Sequence, residues 1–262
     1  MLYLVALIAV LLVMASLRRC ARNEGTAGMH QSGGDTIDVA IEYSPLLFYT
    51  YDDTLGGFNY DLLNAIARRH GVALRFHPVV SLSQSLDKLA SGNYDLLVAD
   101  IPMTASYRQK LNFLEPVMLD RQVLVQRRDS LTGGFPVKKQ IDLAGDTVWV
   151  IAGSPVEARI VNLSQEIGDT IHIVPDSVYG AEQLFILTAM GQIKQAVINE
   201  RVARQMLADY PDVDASVSIS FTQFQSWVAG SRRPWVADSL NLWIKEIKMD
   251  SVYIKLSNRY LK

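Results

Sequence analysis

Two stretches decide the fold: Leu86-Asp-Lys-Leu-Ala-Ser-Gly-Asn-Tyr-Asp-Leu-Leu-Val-Ala-Asp100 and Leu184-Phe-Ile-Leu-Thr-Ala-Met-Gly-Gln-Ile-Lys-Gln-Ala-Val-Ile-Asn199. Each reads as the end of a helix, a glycine that stops it, and a buried strand. The glycine and the polar residue that ends the strand have the same spacing in both copies, Gly92 with Asp100 and Gly191 with Asn199. Ligands of open α/β sheets bind beyond the carboxyl ends of strands. We therefore expect two α/β lobes that present Asp100 and Asn199 to a shared cleft.

The pattern around both copies predicts alternating strands and helices, which is typical of parallel α/β sheets. Strands are predicted at 36–41, 73–76, 96–99, 122–126, 147–151, 171–174, 195–198, 216–221 and 226–229. Helices are predicted at 60–70, 82–90, 155–165, 181–190, 200–209, 234–248 and 251–261. Polar loops are expected at 100–106 and 129–140, the second because it contains two glycines and a proline. This arrangement is the plan of a two-lobed solute-binding protein.

Composition excludes several classes of function. The chain has 262 residues, a formal net charge of −2 and 20% charged residues, so it carries no electrostatic footprint for nucleic acid. Its one cysteine, Cys20, permits neither an intrachain disulfide nor a cysteine-based metal site. The histidines are scattered outside any metal-ligand spacing, so we predict no metal and no cofactor.

The first 22 residues are predicted to be a signal or membrane anchor, followed by a tether at 23–35. The apolar run at 2–17 is somewhat short for a spanning helix and long for a signal-peptide core. A cleaved signal peptide needs a basic start, which this sequence lacks. A lipoprotein signal would make Cys20 the acylated residue, but Arg18 and Arg19 stand before it, where such signals normally carry small residues. An uncleaved anchor fits the length best, although the arginines after the run favour the opposite orientation, unless the true start lies upstream. Each alternative exports the rest of the chain.

The stretch from about residue 36 to residue 262 resembles bacterial extracellular solute-binding proteins of family 3, the polar amino-acid type. The motifs that carry the resemblance, in order, are Gly57-Phe58-Asn59-Tyr60-Asp61-Leu62, Gly92-Asn93-Tyr94-Asp95, Met103-Thr104, Asn112-Phe113-Leu114-Glu115-Pro116, Asp142-Leu143-Ala144-Gly145, Gly153-Ser154 and Tyr253-Ile254-Lys255. Ile101-Pro102-Met103-Thr104 and Asp120-Arg121-Gln122-Val123-Leu124-Val125 are more similar to the N-terminal solute-binding-like domain of membrane-bound lytic transglycosylase F. Because the sequence ends at Lys262, we expect no catalytic transglycosylase domain after it.

The resemblance implies a two-lobed, type II periplasmic-binding-protein-like fold. Each lobe would be a mixed, mostly parallel sheet flanked by helices, and two crossing strands would join the lobes. It places lobe 1 at 36–122 plus 222–262, and lobe 2 at 123–221. Hinge closure over a ligand is the motion expected of this class.

The resemblance also implies a ligand-binding set of eight residues: Tyr43, Asp100, Thr104, Tyr107, Arg108, Ser154, Asn199 and Glu200. In the family, a loop threonine and an arginine hold a ligand carboxylate, because a guanidinium donates two parallel hydrogen bonds to a carboxylate. Thr104 matches the threonine. Without a gap the arginine position falls on Tyr107, whereas a one-residue slip would restore Arg108.

Among the other members, Asn199 replaces the residue that the family usually has, and Ser154 and Asp100 each have an alternative structural role. Asn199 stands where the family usually places an aspartate for the ligand ammonium, and Glu200 could substitute for that charge. Ser154 either helps to bind an anion at a helix N-terminus or caps that helix. Asp100 either accepts a ligand N–H or caps the following turn. Tyr43 is expected to stack on the ligand, as an aromatic of the loop after the first strand.

These observations predict a periplasmic protein, tethered to the inner membrane, that captures an amino acid or related compound for uptake by an ABC permease. An alternative is a tethered sensor of peptidoglycan fragments that works with a cell-wall enzyme. A further alternative is an enzyme similar to cyclohexadienyl dehydratase. We predict no catalytic residues, because no histidine or pair of carboxylates is expected at the cleft.

Overall fold

The computed structural model describes residues 36–52, 54–129 and 132–261. The predicted anchor, the predicted tether and Cys20 lie outside the described residues. Within the described ranges, no helix is both long enough and apolar enough to cross a membrane.

The first sheet has the strand order β4-β1-β5-β13-β6, with β7 paired to the end of β13. Strand β1 pairs in parallel with β4 and β5, whereas β13 runs antiparallel to β5 and β6. Its strands are β1 (Ile37–Glu42), β4 (Leu74–Val79), β5 (Leu96–Pro102), β6 (Asn112–Phe113), β7 (Met118–Asp120) and β13 (Gln223–Ala229). A separate hairpin pairs β2 (Tyr49–Tyr51) with β3 (Thr54–Gly56).

The second sheet has the order β10-β9-β11-β8-β12 and repeats the plan of the first. Strand β9 pairs in parallel with β10 and β11, and β8 is antiparallel to β11 and β12. Its strands are β8 (Gln122–Arg127), β9 (Thr147–Ile151), β10 (His172–Asp176), β11 (Gln195–Asn199) and β12 (Val213–Ser218). In both sheets the first strand of a β-α-β-α-β run lies between the second and the third.

Helices cover both sheets. The first sheet carries α1 (Phe58–His70), α2 (Leu82–Ala90), α3 (Ala105–Arg108), α7 (Pro234–Lys248) and α8 (Ser251–Tyr260). The second carries α4 (Val156–Ile167), α5 (Ala181–Ala189) and α6 (Glu200–Leu207), and a 3-10 helix spans Gln140–Leu143. We call the first sheet with its helices the first lobe, and the second sheet with its helices the second lobe.

Each lobe buries its own apolar core. In the first lobe, Phe58 and Leu62 of α1 pack with Trp227 of β13 and Ile244 of α7, and all four are almost fully buried. In the second lobe, separate clusters of buried side chains occupy the two faces of the sheet, around Leu124 on one face and Val123 on the other. Successive residues of β8 supply opposite faces because side chains alternate along a strand. The central residues of the strand, Val123 to Val125, are therefore all apolar.

Two chain segments cross between the lobes, as the predicted fold class requires. Arg121 connects β7 to β8, and residues 219–222 connect β12 to β13. The segments are tied together at Gln122, whose backbone N–H donates to Ser220 Oγ at 2.9 Å and whose carbonyl accepts from Ile219 N–H at 2.8 Å. The structure is therefore a two-lobed α/β fold with mixed sheets and two crossing connections.

The structure differs from the sequence prediction at several places, and the short strands β6 and β7 are among the elements that were not predicted. The predicted loop at 100–106 is wrong in its first part, because Ile101 and Pro102 pair with β13 and extend β5. Its last part contains the short helix α3. The strand predicted at 216–221 lies at Val213–Ser218, where it pairs with β8. The hairpin of β2 and β3 was not predicted.

Candidate functional site

The polar ends of the two repeated units meet. Gly92 and Gly191 both adopt positive φ, 79° and 71°, where glycine is favoured, and each ends its helix before the strand. The Asn199 side-chain amide lies 3.5 Å from the Asp100 carbonyl oxygen, in hydrogen-bonding geometry. Both residues line a cavity of about 30 Å³, which is room for about two water molecules. The cavity receives residues from both lobes.

Two carboxyl groups line this cavity, Glu42 at the end of β1 and Asp100 in β5. The neutral polar residues that line it are Tyr43, Ser44, Gln122, Ser154 and Asn199. Among the described residues, its lining includes no lysine, arginine or histidine. The cavity is therefore acidic and rich in hydrogen-bond acceptors.

Only one of the two carboxyl oxygens of Asp100 has a hydrogen-bond partner. Its Oδ1 accepts a hydrogen bond from Asn59 Nδ2 at 3.3 Å, whereas its buried Oδ2 has no partner. Burial raises the pKa of the Asp100 carboxyl well above its usual range, and the charges of Asp120 and Glu42 raise it further. Arg201 acts in the opposite direction.

Glu42 is a site residue that the sequence analysis missed. Burial raises the pKa of its carboxyl to about 7, and the backbone N–H of Asp100 acts against that rise. The expectation that the cleft holds no pair of carboxylates is therefore wrong. The signal was present in the sequence, because Glu42 ends a strand in the same way as Asp100 and Asn199 do.

Gln122 was also missed. It lies at the crossing connection, is 2% exposed, and donates through Nε2 to Asn199 Oδ1 at 2.8 Å. Its Oε1 is buried without a hydrogen-bond partner. Asn199 is thus held by the first crossing segment, and the Gln122 oxygen is left as an acceptor.

Ser154 lies next to the N-terminus of α4 and lines the cavity. Its Oγ is buried and makes no hydrogen bond, so the alternative that Ser154 caps the helix is wrong. Two of the backbone donors expected to bind an anion are already used. Gly153 N–H donates to the Glu157 carboxylate at 2.8 Å, Ser154 N–H donates to the Ile151 carbonyl at 3.2 Å, and Pro155 has no N–H. This helix end therefore carries its own carboxylate.

Tyr43 lines the cavity and is 42% exposed. Its ring packs edge-on against Phe48, with the ring centroids 6.3 Å apart. Phe48 is buried in the core of the first lobe. Tyr43 is thus the aromatic side chain of this loop that reaches the cavity.

Thr104, Tyr107 and Arg108 do not line the cavity. Thr104 Oγ1 accepts from the backbone N–H of Tyr107 at 3.4 Å and caps α3. The Tyr107 hydroxyl donates to the Gly153 carbonyl at 2.9 Å, which links the two lobes. Arg108 is exposed on the surface. Of the two alternatives for the clamp position, the side chain at 107 reaches the other lobe.

Glu200 also lies outside the cavity lining. Its carboxylate forms a bidentate ion pair with Arg121, with contacts of 2.6 and 2.8 Å, and contacts Arg204 at 2.9 Å. The Arg121 guanidinium lowers the pKa of Glu200 below its usual range. The structure therefore brings together Tyr43, Asp100, Ser154 and Asn199, and places the other four predicted residues around them.

Residues 36–262 match the profile of the bacterial extracellular solute-binding proteins, family 3. The chain belongs to this family. It is 30% identical over 229 residues to the membrane-bound lytic murein transglycosylase F of Aeromonas hydrophila subsp. hydrophila, with 86% of this chain and 44% of the relative aligned. The family 3 chain therefore spans about half the length of that relative.

Two solved structures share the fold. An ancestral arginine-binding protein bound to arginine superposes with a TM-score of 0.75 at 22% identity, covering 89% of this chain and 100% of that chain. The substrate-binding protein of an amino acid ABC transporter superposes with a TM-score of 0.72 at 22% identity, covering 86% and 99%. These likenesses confirm the predicted fold class, and the family match supports a binding role.

Proposed function

We propose that this family 3 protein captures a small polar ligand between its two lobes by hinge closure, and delivers it to an ABC permease for uptake. The observation that carries the proposal is the cavity, where strand ends from both lobes supply Asp100 and Asn199. A ligand that contacts both lobes stabilises the closed state, so binding shifts the population toward closure.

The lobes must separate for a ligand to enter, because the cavity of about 30 Å³ is smaller than an amino acid. Among the described residues, opening would break the Tyr107–Gly153 hydrogen bond, the Asn199–Asp100 contact and the packing of Ile151 against the first lobe. A hinge motion at Arg121 and residues 219–222 would release them without disturbing either core.

A second candidate is a sensor of peptidoglycan fragments that regulates a cell-wall enzyme. The observation in its favour is the 30% identity to a membrane-bound lytic murein transglycosylase F. In either role we place the protein in the periplasm, tethered by residues 1–22. A permease encoded beside it would support uptake, and a peptidoglycan enzyme would support sensing.

An enzymatic role is the third candidate, because Glu42 and Asp100 form a pair of carboxyls at the cleft. A dehydratase acting on a ring carboxylic acid would need a cation for the substrate carboxylate, and the described lining residues supply none. We therefore propose binding without chemistry, and name no catalytic residue, metal or cofactor.

Thermal unfolding of the full chain against amino acids, short peptides and muropeptides tests the proposal. A ligand at one hundred times its Kd stabilises a fold by about 2.7 kcal/mol. For a protein of this size, that corresponds to a shift of roughly 5–10 °C. A shift with a free amino acid supports uptake, and a shift with muropeptides alone supports sensing. The absence of a shift across the whole panel contradicts the binding role.

A further inference from the structure

The cavity presents hydrogen-bond acceptors that nothing in the protein satisfies. Asp100 Oδ2 and Gln122 Oε1 are both buried without a partner, and neither oxygen can donate when the carboxyl is ionised. The Ser154 hydroxyl is a third buried, unpartnered group. Buried polar groups are normally paired, and leaving one unpaired costs about 1–3 kcal/mol. The two acceptor oxygens, Asp100 Oδ2 and Gln122 Oε1, therefore indicate that the group that satisfies them is a hydrogen-bond donor, and the Ser154 hydroxyl can accept from the same group.

The described lining of the same cavity offers no charged partner for a carboxylate. No cationic side chain is found among its described lining residues. Arg121 is paired with Glu200, and Arg108 is exposed outside the cavity. Arg201 donates to the backbone carbonyls of Leu119 and Leu261 instead.

The helix end that could replace a cation is also used. At the N-terminus of α4, Glu157 occupies the backbone N–H of Gly153 with its own carboxylate. A second carboxylate brought to this end would lie beside the first and be repelled by it. The described lining therefore supplies no side-chain cation, and this helix end already holds one carboxylate.

We propose that the cleft recognises a protonated amine or guanidinium on a ligand that has no carboxylate on the adjoining carbon, with Asp100 and Glu42 as the counter-charges. Gln122 Oε1 and Ser154 Oγ accept the remaining hydrogens of that group. This inference rests on the proposed function and narrows its ligand to a class: amines and amidated compounds, not free α-amino acids. An ammonium has three donors and a guanidinium five, so either can satisfy several of these acceptors at once.

The test compares ligands that differ only in the α-carboxylate. Calorimetric titration of the full chain at pH 8 would use agmatine against L-arginine and cadaverine against L-lysine, with L-argininamide as a probe that keeps the α-ammonium and neutralises the carboxylate. We expect agmatine, cadaverine and argininamide to bind at least tenfold more tightly than the matching amino acid. Equal or tighter binding of the free amino acids overturns the inference and leaves the proposed binding role intact. No binding of any of these probes also overturns it, and the peptide and muropeptide arms of the thermal panel then decide the binding role separately.

Variants identify the charged partner. Asp100→Asn is expected to weaken agmatine binding at least tenfold, and Glu42→Gln to weaken it by a smaller factor. If Asp100→Asn does not fold, Glu42→Gln carries the test alone. Asp87→Asn, on the exposed face of α2, changes the net charge equally and should leave affinity unchanged. An unchanged agmatine affinity in both cleft variants contradicts the assignment.

Discussion

The Tyr107 hydroxyl donates a hydrogen bond to the Gly153 carbonyl across 2.9 Å, and this bond joins the short helix α3 of the first lobe to the start of α4 in the second. By the resemblance to the family, an arginine that holds the ligand carboxylate is expected at position 107 without a gap, or at Arg108 with a one-residue slip. The side chain of Tyr107 contacts the opposite lobe, whereas Arg108 is exposed.

Tyr107→Phe should open the cleft. A single hydrogen bond contributes about 0.5–1.5 kcal/mol, so its loss should reduce the closed population relative to the open one by about fivefold. Spin labels at Lys88→Cys in α2 and Asn162→Cys in α4, in a Cys20→Ser chain, would report the separation of the lobes, since both positions are exposed. Tyr51→Phe, on the exposed hairpin, is the control. An unchanged distance distribution in Tyr107→Phe would show that this bond does not hold the lobes together.

Gly153→Ala should also disfavour closure. An added Cβ would lie 3.2 Å from Ser83 Cβ in the first lobe, and Gly153 has a φ of +76°. Gly168→Ala is a matched control, because its φ is +79° and nothing lies within 4 Å of the added Cβ. Both variants should lose about 1 kcal/mol from the left-handed backbone, seen as similar falls in Tm. Only Gly153→Ala should lengthen the distance between the spin labels, and an equal response from both glycines would rule out a steric role.

Glu42→Gln should remove a pH dependence of stability. The folded-state pKa of Glu42, about 7, lies above its ordinary value of 4.5, so the folded protein keeps a proton that the unfolded chain releases. The free energy of unfolding therefore falls as the pH rises from about 4.5 to about 7, and levels off above that. Urea unfolding at pH 5, 6, 7 and 8 should show wild type losing stability relative to the variant across this window. The pKa of Asp120 is also raised, to about 6, so this residue makes the free energy of unfolding depend on pH in both the wild type and the variant.

Ligand binding should release protons near neutral pH. A bound cation favours the ionised forms of Glu42 and Asp100, and burial raises the pKa of both carboxyls above their usual values. Agmatine affinity should therefore rise between pH 6 and pH 8. The titration enthalpy should vary with the ionisation enthalpy of the buffer, and this variation should be reduced in Glu42→Gln. A buffer-independent enthalpy would mean that neither carboxyl changes its protonation on binding.

Glu200→Gln should destabilise the crossing connection. The bidentate pair with Arg121 joins the first crossing segment to α6, and the Glu200 side chain is 16% exposed. Loss of the pair should lower the free energy of unfolding by about 1–3 kcal/mol at pH 7. Because its pKa is lowered by Arg121, this contribution is present above the unfolded pKa and is lost as the pH falls. Asp250→Asn, which breaks the more exposed pair with Arg69, should cost less in the same urea titration.

Much of the fold was readable from sequence because local patterns specify it. Helices α2 and α7 and strand β9 begin and end where their apolar periods predicted. The hairpin at β2 and β3 was missed, since it is short and exposed and therefore lacks an alternating apolar pattern. Strand β5 was predicted too short, because its last residues are extended by pairing with β13, more than a hundred residues later in the chain.

The site was less predictable, because its character depends on long-range contacts. Asp100 and Asn199 could be placed at the cleft from their spacing to a glycine. The ion pair between Arg121 and Glu200 joins residues 79 positions apart, and no local pattern in the sequence predicts it. The use of the α4 N-terminus by Glu157 is different, because the two residues are four apart and the sequence alone could have suggested it.

The matching order of the two sheets has a consequence for how the cleft could change. Asp100 and Asn199 occupy equivalent places in two versions of one unit, as two copies of an ancestral half would. An exchange of the two residues, Asp100→Asn with Asn199→Asp, would keep the composition of the chain and move the buried charge from one half to the other. A single substitution at either of these two equivalent positions would therefore add a carboxyl group to the cleft or remove one, beside the carboxyl of Glu42.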